Sequence, residues 1–510
     1  MSDWTSGYVA DIGYTFGYYS ELNPLRSTLA FLGAGLVPPS AGTNHCELGF
    51  GQGVSINIHA AATGANWYGT DFNPSQAAFA QSLASVSGAN AQMMDQAFAE
   101  FCSRDDLPDF DSIGLHGIWS WVSDENRRVI VDFLRCKLKV GGVLYVSYNT
   151  LPGWAAFAPM RHLMTEHARV MGSDGVGTVK RVDGAIDFAE KLLATEPLFS
   201  KANPTVNERL KRVAGQDRHY LAHEYFNRDW QPMHFASMAD MMSLAKLDFA
   251  CSANYTDQVD TINLSAAQST LLKDIPDVMF RQTVRDFMVN QQFRKDYWIR
   301  GSRRLSALEQ HESLMAHRVM LTTYREDVPL KIVGVLGEAT LQESIYNPIL
   351  DALADYKPKT LGEISKGLKD FKLSQLLQAV LLLAGSGHLV SVQGDTEINS
   401  AKKQTDKLNN HFMQRARMSG ELLYLASPVS GGGIQVGRFV QLFLLSISQG
   451  KKKPEEWAQF VWQTLVTQGQ KIVKDGKTLE SEQENLDELT EQAKTFSVKG
   501  LPILKALQIA

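Results

Sequence analysis

The sequence predicts an α/β protein whose core is a parallel sheet with helices on both faces, carrying a helical insertion and followed by a winged-helix-like domain and a helical tail. Three observations point there. Short apolar strands alternate with helical stretches from about residue 43 to 155. A glycine series, Gly49, Gly51 and Gly53, follows the first strand. The next two strands close on acids, Asp71 and Asp95.

The first strand ends at Glu47 and the loop after it reads G-x-G-x-G before a helix begins. Glycines at this spacing let a ligand lie against the main chain. Val54 stands where a dinucleotide-binding loop would want its third glycine. Glu47 would repel a pyrophosphate but attract an ammonium, so the expected ligand is S-adenosylmethionine, which carries an amine and a sulfonium and no phosphate. The second strand, Trp67 to Asp71, places a carboxylate where ribose hydroxyls are bound in Rossmann-like units, with Phe72 beside it. Asp71 also suits a cap for the helix starting near Pro74. The third strand ends at Asp95-Gln96, expected at the adenine. The fourth, Phe110 to Leu115, runs into His116 and the aromatics Trp119 and Trp121. A helix from Asp124 to Leu138 follows, then a glycine turn at Lys139-Val140-Gly141-Gly142, then a fifth strand ending at Tyr148-Asn149.

This series resembles the class I S-adenosylmethionine-dependent methyltransferases. His116-Gly117-Ile118-Trp119-Ser120-Trp121-Val122, Tyr148 to Trp154, Tyr14 to Pro24 and Tyr220 to Asn227 are similar to methyltransferases with a regulatory domain, among them bacterial protein-lysine methyltransferases of the rickettsial type. The likeness spans most of residues 8 to 395. It implies a Rossmann-like class I methyltransferase core, S-adenosylmethionine as cofactor with S-adenosylhomocysteine as product, and a homodimer. Cofactor contacts are expected from Tyr14, Tyr18, Tyr19, Glu47, Gly49, Gly51, Gly53, Asp71, Phe72, Asp95, Gln96, Leu115, His116 and Trp121. Tyr148, Asn149 and Trp119 are expected beside the methyl group as catalytic residues, and Trp154, Glu224 and Tyr225 on the substrate side. Core packing is the competing role for each aromatic, and a surface ion pair for Glu224. His116, ending a strand, reads as a packed histidine rather than a catalytic one.

The expected acceptor is a lysine of another protein, in extended or unfolded form. Such an amine must arrive neutral, and desolvation among aromatics lowers its pKa. The Asn-Pro-Pro-aromatic loop of amide and adenine methyltransferases would follow the fourth strand; Leu115-His116-Gly117-Ile118 stands there instead, which argues against planar nitrogen acceptors. Methylation of a small molecule, and a non-catalytic scaffold that binds the same cofactor, are the alternatives.

The organisation reads as an N-terminal lid over 1–35, with a helix from Leu25 to Leu32, and a cofactor-binding core over 36–155. A mainly helical insertion covers 156–230. The rest of the core, with a helix from Phe235 to Leu247 and strands near Asp248–Ala253 and Phe293–Arg300, covers 231–325. A winged-helix-like domain is expected over 326–398 and a helical C-terminal region over 399–510, with Gly431-Gly432-Gly433 as a hinge. The would-be recognition helix, Leu373 to Leu383, has no Lys or Arg, so this domain is expected to contact protein and not nucleic acid.

At 510 residues the chain has ample length for a large core, and a net charge of −5 gives no general pull toward polyanions. The four cysteines show no metal spacing, so no metal is expected; buried thiols imply a reducing compartment. With no export signal or membrane-length apolar run, a cytoplasmic protein without membrane insertion is expected.

Overall fold

The computed structural model describes residues 5, 7–9, 12–13, 15–173, 175–368 and 372–510. Its centre is a seven-stranded sheet of β1 (Asn44–Leu48), β2 (Asn66–Asp71), β3 (Ala91–Asp95), β4 (Phe110–Leu115), β5 (Leu138–Asn149), β6 (Asp248–Ser252) and β7 (Phe293–Ile299). The spatial order is β3-β2-β1-β4-β5-β7-β6. β1 to β5 pair in parallel, and β7 runs antiparallel to both neighbours. The chain reverses direction between β3 and β4, which lie on opposite sides of β1. Open α/β sheets bind ligands at such a point, outside the strands' carboxyl ends.

Helices α1 (Pro24–Gly33), α2 (Val54–Thr63), α3 (Pro74–Ser87), α4 (Phe98–Cys102) and α5 (Asp124–Lys137) fill the connections. α1 and α3 begin with proline after an Asn cap, Asn23 and Asn73, whose side chains accept from the backbone two residues on. The glycine turn expected at 139–142 is instead the bulged start of β5. Leu138 already pairs with Phe110, the register shifts before Ser112, and Gly141 donates to the Arg300 carbonyl.

The insertion consists of α6 (Ala158–Val170), α7 (Thr178–Ala194), α8 (Leu198–Ala202), α9 (Thr205–Ala214) and α10 (Arg218–Tyr225) around an apolar core of its own. α11 (Phe235–Leu244) then leads into β6.

Two expectations are corrected downstream. α1 is no part of a lid: Leu29, Ala30, Phe31 and Leu32 are buried in a cluster that also holds Leu321, Ile349 and Leu382. Gly431-Gly432-Gly433 is no hinge. Gly432 and Gly433 begin a strand (Gly432–Gln435) paired with Tyr424–Ser427; Gly432 is buried, and a Cβ there would stand 2.5 Å from the Tyr18 hydroxyl. The C-terminal region also does not trail away. Its long helix Asp395–Arg415 packs on α2 and α3, with Val54, Ile58 and Leu83 in one core with Leu408 and Phe412. α2 is therefore buried from Val54 to Ala62, which explains why it carries no Asp, Glu, Lys or Arg.

The small domain begins earlier than the sequence indicated. A strand at Arg318–Leu321 pairs antiparallel with both Lys359–Thr360 and Leu389–Ser391, and the helices Leu361–Lys366 and Leu373–Gly385 lie between those two partners in the chain. No described helix is long and apolar enough to cross a membrane.

Candidate functional site

The loop after β1 is held by its neighbours before any ligand is considered. Gly49 N–H donates to the Thr70 carbonyl (2.8 Å), and Gly51 N–H donates to Asp71 Oδ2 (2.9 Å). Asn73 N–H donates to Asp71 Oδ1 (2.9 Å), so both carboxylate oxygens are fixed by main chain. Gly49 has φ +72°, and a Cβ there would stand 2.3 Å from Ile118 Cδ1. Gly53, with φ +68°, caps α2 where a Cβ would stand 2.4 Å from that of Ala80. The first glycine admits the β4 loop and the third admits α3; Gly51 faces the cavity.

That cavity has a volume of about 430 Å³. Gly49, Gly51, Asp71, Phe72, Gln96, His116, Trp121 and Tyr19 from the expected set line it. His116 stacks on Tyr19 with ring centroids 3.5 Å apart, and its Nδ1 lies 2.7 Å from the Tyr145 hydroxyl. Burial lowers the His116 pKa to about 3, so the ring is neutral and forms an uncharged wall. Burial raises Asp71 to about 6 against the two backbone hydrogen bonds, leaving it ionised at neutral pH.

Other expected residues lie elsewhere. Tyr14 falls outside the described residues. Tyr18 points away from the cavity, to His59 and Tyr424, because the buried C-terminal hairpin takes its ring. Glu47 is sealed beneath the loop with Oε2 unbonded; burial, then the nearby Asp71 charge, pushes its pKa well up. Gly53 serves helix packing. Asp95, at the exposed end of β3, does not border the cavity, and Leu115 is packed inside the sheet's core.

The expected catalytic residues split. Trp119 is fully buried, its indole N–H on Met233 Sδ (3.4 Å), so it packs the core and does not face the donor cavity. Tyr148 is also fully buried and donates to Asp296 Oδ2 (2.8 Å), because β5 turns its side chain toward β7. Asn149 does face the insertion. Its Oδ1 accepts from the Trp154 indole (3.1 Å), while its Nδ2 is buried beside the Glu224 carboxyl. Glu224 lies beside it, and the Glu224 carbonyl accepts from the Trp121 indole (3.1 Å). Burial raises the Glu224 carboxyl to about 7, opposed by Asn149, Arg209 and Arg161.

The substrate-side aromatics form a cage that the chain fills itself. Trp154 and Tyr225 are buried, and Arg209 from α9 places its guanidinium 3.8 Å from the Trp154 ring centroid and 4.8 Å from that of Phe157. An arginine thus stands where an open channel for a lysine was expected. The lid expected from the N-terminal segment did not single out the roof residues Tyr8, Arg228 and Asp229. Arg228 N–H donates to the Gly7 carbonyl (3.0 Å), and Tyr8 meets Phe72 edge-on. Asn227, Arg228 and Asp229 line the cavity with Tyr8. The only sequence signal was the aromatic N-terminus itself; its partner lies over 200 residues away. Among described residues no group of three His, Cys, Asp or Glu could hold a metal ion.

The fold and this strand-end cavity define a class I methyltransferase architecture. Residues 217–300 match the model described as a predicted methyltransferase regulatory domain. An uncharacterized protein of Synechocystis, sll1526, is 41% identical over 99% of this chain and 100% of its own length, and the chain belongs to the family it shares with that protein. An uncharacterized Rickettsia prowazekii protein, RP789, is 25% identical over 66% of this chain and 61% of its own length. Among solved structures, PKMT2 from Rickettsia typhi in complex with AdoHcy superposes with a TM-score of 0.69 at 17% identity, covering 98% of this chain and 100% of that one; this likeness is one of fold.

Proposed function

We propose that this protein is an S-adenosylmethionine-dependent methyltransferase acting on lysine side chains of a protein. The observation that carries the donor assignment is the glycine loop whose Gly51 amide and Asp71 carboxylate are pre-set at the wall of one cavity. Its volume is that of a pocket for one nucleoside-sized ligand. The fit is supported by chemistry: the charged residues lining the cavity are Asp71, Glu125, Asp229 and Arg228, three acids to one base, which suits a cationic donor and disfavours a pyrophosphate. The AdoHcy in the rickettsial PKMT2 structure supports the same reading.

S-adenosylmethionine would supply an activated methyl group on sulfur. Asp71 would hold the ribose hydroxyls, His116 and Tyr19 would enclose the donor with neutral rings, and Tyr8 with Asn227–Asp229 would keep water out. Asn149 at the end of β5 lies beside Glu224 of the insertion, and Glu224, protonated and ionised in comparable amounts near neutrality, is suited to orient an amine. The acidic rim and Glu224 favour a cationic acceptor such as lysine. Because Arg209 fills the Trp154 cage, the acceptor would enter along the Trp121–Arg228 side. The unit from 318 to 391 is read as a winged-helix-like protein contact.

Incubation with methyl-labelled donor and cell lysate tests this. A labelled protein band whose label maps to lysine is the expected result; label confined to small molecules, or binding without transfer, overturns the acceptor assignment.

A further inference from the structure

A second cavity, also of about 430 Å³, lies against the sheet's edge strand β6 and under the helices Ala266–Asp274 and Val278–Met288. It shares no lining residue with the donor cavity. Five cations line it, Lys273, Arg281, Arg285, Arg294 and Arg304, against three acids, Asp257, Asp260 and Asp296.

One part of this charge is already matched. Arg294 donates to Asp286 Oδ1 (2.6 Å) and Asp296 Oδ2 (2.8 Å), a closed cluster between two carboxylates. Arg285 donates to the Asp257 carbonyl (2.7 Å) and lies 3.8 Å from Asp260. The Asp257 carboxylate accepts from Ser252 Oγ (2.9 Å) and Asn254 Nδ2 (3.0 Å). Lys273, Arg281 and Arg304 have no carboxylate within 4.0 Å among the described residues. Arg281 Nε is buried with no acceptor among the described residues. Outside the Arg294 cluster, four cations therefore face two carboxylates. A guanidinium edge withdrawn from water without an acceptor is costly, so an anionic partner is the missing element.

We propose that this cavity binds a small dianion of the phosphomonoester class. Lys273, Arg281 and Arg304, which have no carboxylate partner among the described residues, supply the positive charge that such a group needs near neutral pH. Arginine forks suit a tetrahedral oxyanion, and the cavity has room for the organic remainder of the ligand. Its floor approaches the end of β5 through Asp296. Asp296, which lines the cavity, accepts the Tyr148 hydroxyl, and Tyr148 directly precedes Asn149 on β5.

Titration calorimetry of the full chain with inorganic phosphate in chloride buffer tests the site with no methyl donor present, so its outcome is independent of the proposed activity. Saturable binding is expected, weakened at least about tenfold in both Arg281→Ala and Lys273→Ala. Lys273 is exposed, so its truncation leaves the core intact. Absence of saturation in the millimolar range, or equal binding in wild type and Lys273→Ala, overturns the proposal.

Discussion

The proposed donor side and the proposed acceptor side of this protein are built by different rules. On the donor side, function rests on backbone: glycines that admit Ile118 and Ala80, and a carboxylate fixed by two amides. On the acceptor side it rests on long side chains, where Arg209 and Glu224 from the insertion meet Asn149 at the end of β5 and Trp154 just after it through tertiary packing. Backbone requirements leave a mark in local sequence, whereas side-chain encounters between distant helices do not.

The sharpest way to break this contrast is at Gly49. Gly49→Val should cost at least about 100-fold in affinity for S-adenosylhomocysteine, since its Cβ must displace Ile118 and its φ of +72° disfavours any branched residue. Asp71→Asn should follow at about 10–100-fold, the range of lost charge-assisted hydrogen bonds. Calorimetry checks both. If Asp71→Asn binds as wild type, the ribose role fails.

Arg209→Ala probes the other side. Loss of the cation–π contact should cost about 1–2 kcal/mol of stability, read in denaturant unfolding, with donor affinity unchanged. A large loss of donor affinity would mean that the two sides are not separable. Glu224 adds a pH signature. Its folded pKa of about 7 lies above the ordinary carboxylate value of 4.5, so the folded state holds its proton longer. Its contribution to stability is then fullest below about pH 4.5 and declines as pH rises toward 7. Glu224→Gln should flatten that part of the melting-temperature profile; an unchanged slope would place the titration elsewhere. The smallest effect is expected at Asp95, exposed and outside the cavity, where Asp95→Ala should change donor affinity by less than about threefold.

Legibility in the sequence follows the same division. The strands β1 to β5 and the loop residues Gly49, Gly51 and Asp71 were readable because strand, turn and helix signals are local there. Tyr148 and Asn149 illustrate the limit. Both end the same strand, but strand alternation sends Tyr148 to the Asp296–Arg294 cluster and Asn149 toward Trp154, and the face that holds each partner is fixed only by the late strand β7 and the insertion. Tyr18 went astray for a similar reason, since the hairpin that captures it lies some 400 residues later in the chain. The three glycines at 431–433 read as flexible, yet the small size of Gly432 and Gly433 serves close packing against Tyr18 and Asn23, and that of Gly431 packing against Gln393. In Trp119 an aromatic next to a loop motif turned out to pack the core.

The central claim is that a carboxylate-rimmed glycine loop on this sheet accepts a nucleoside that bears no phosphate. Calorimetry of the purified full chain with S-adenosylhomocysteine, run beside a nicotinamide dinucleotide, addresses it most directly. Saturation by the first, abolished in Gly49→Val, with no heat from the second, is the predicted result; saturation by the dinucleotide and none by S-adenosylhomocysteine would contradict it.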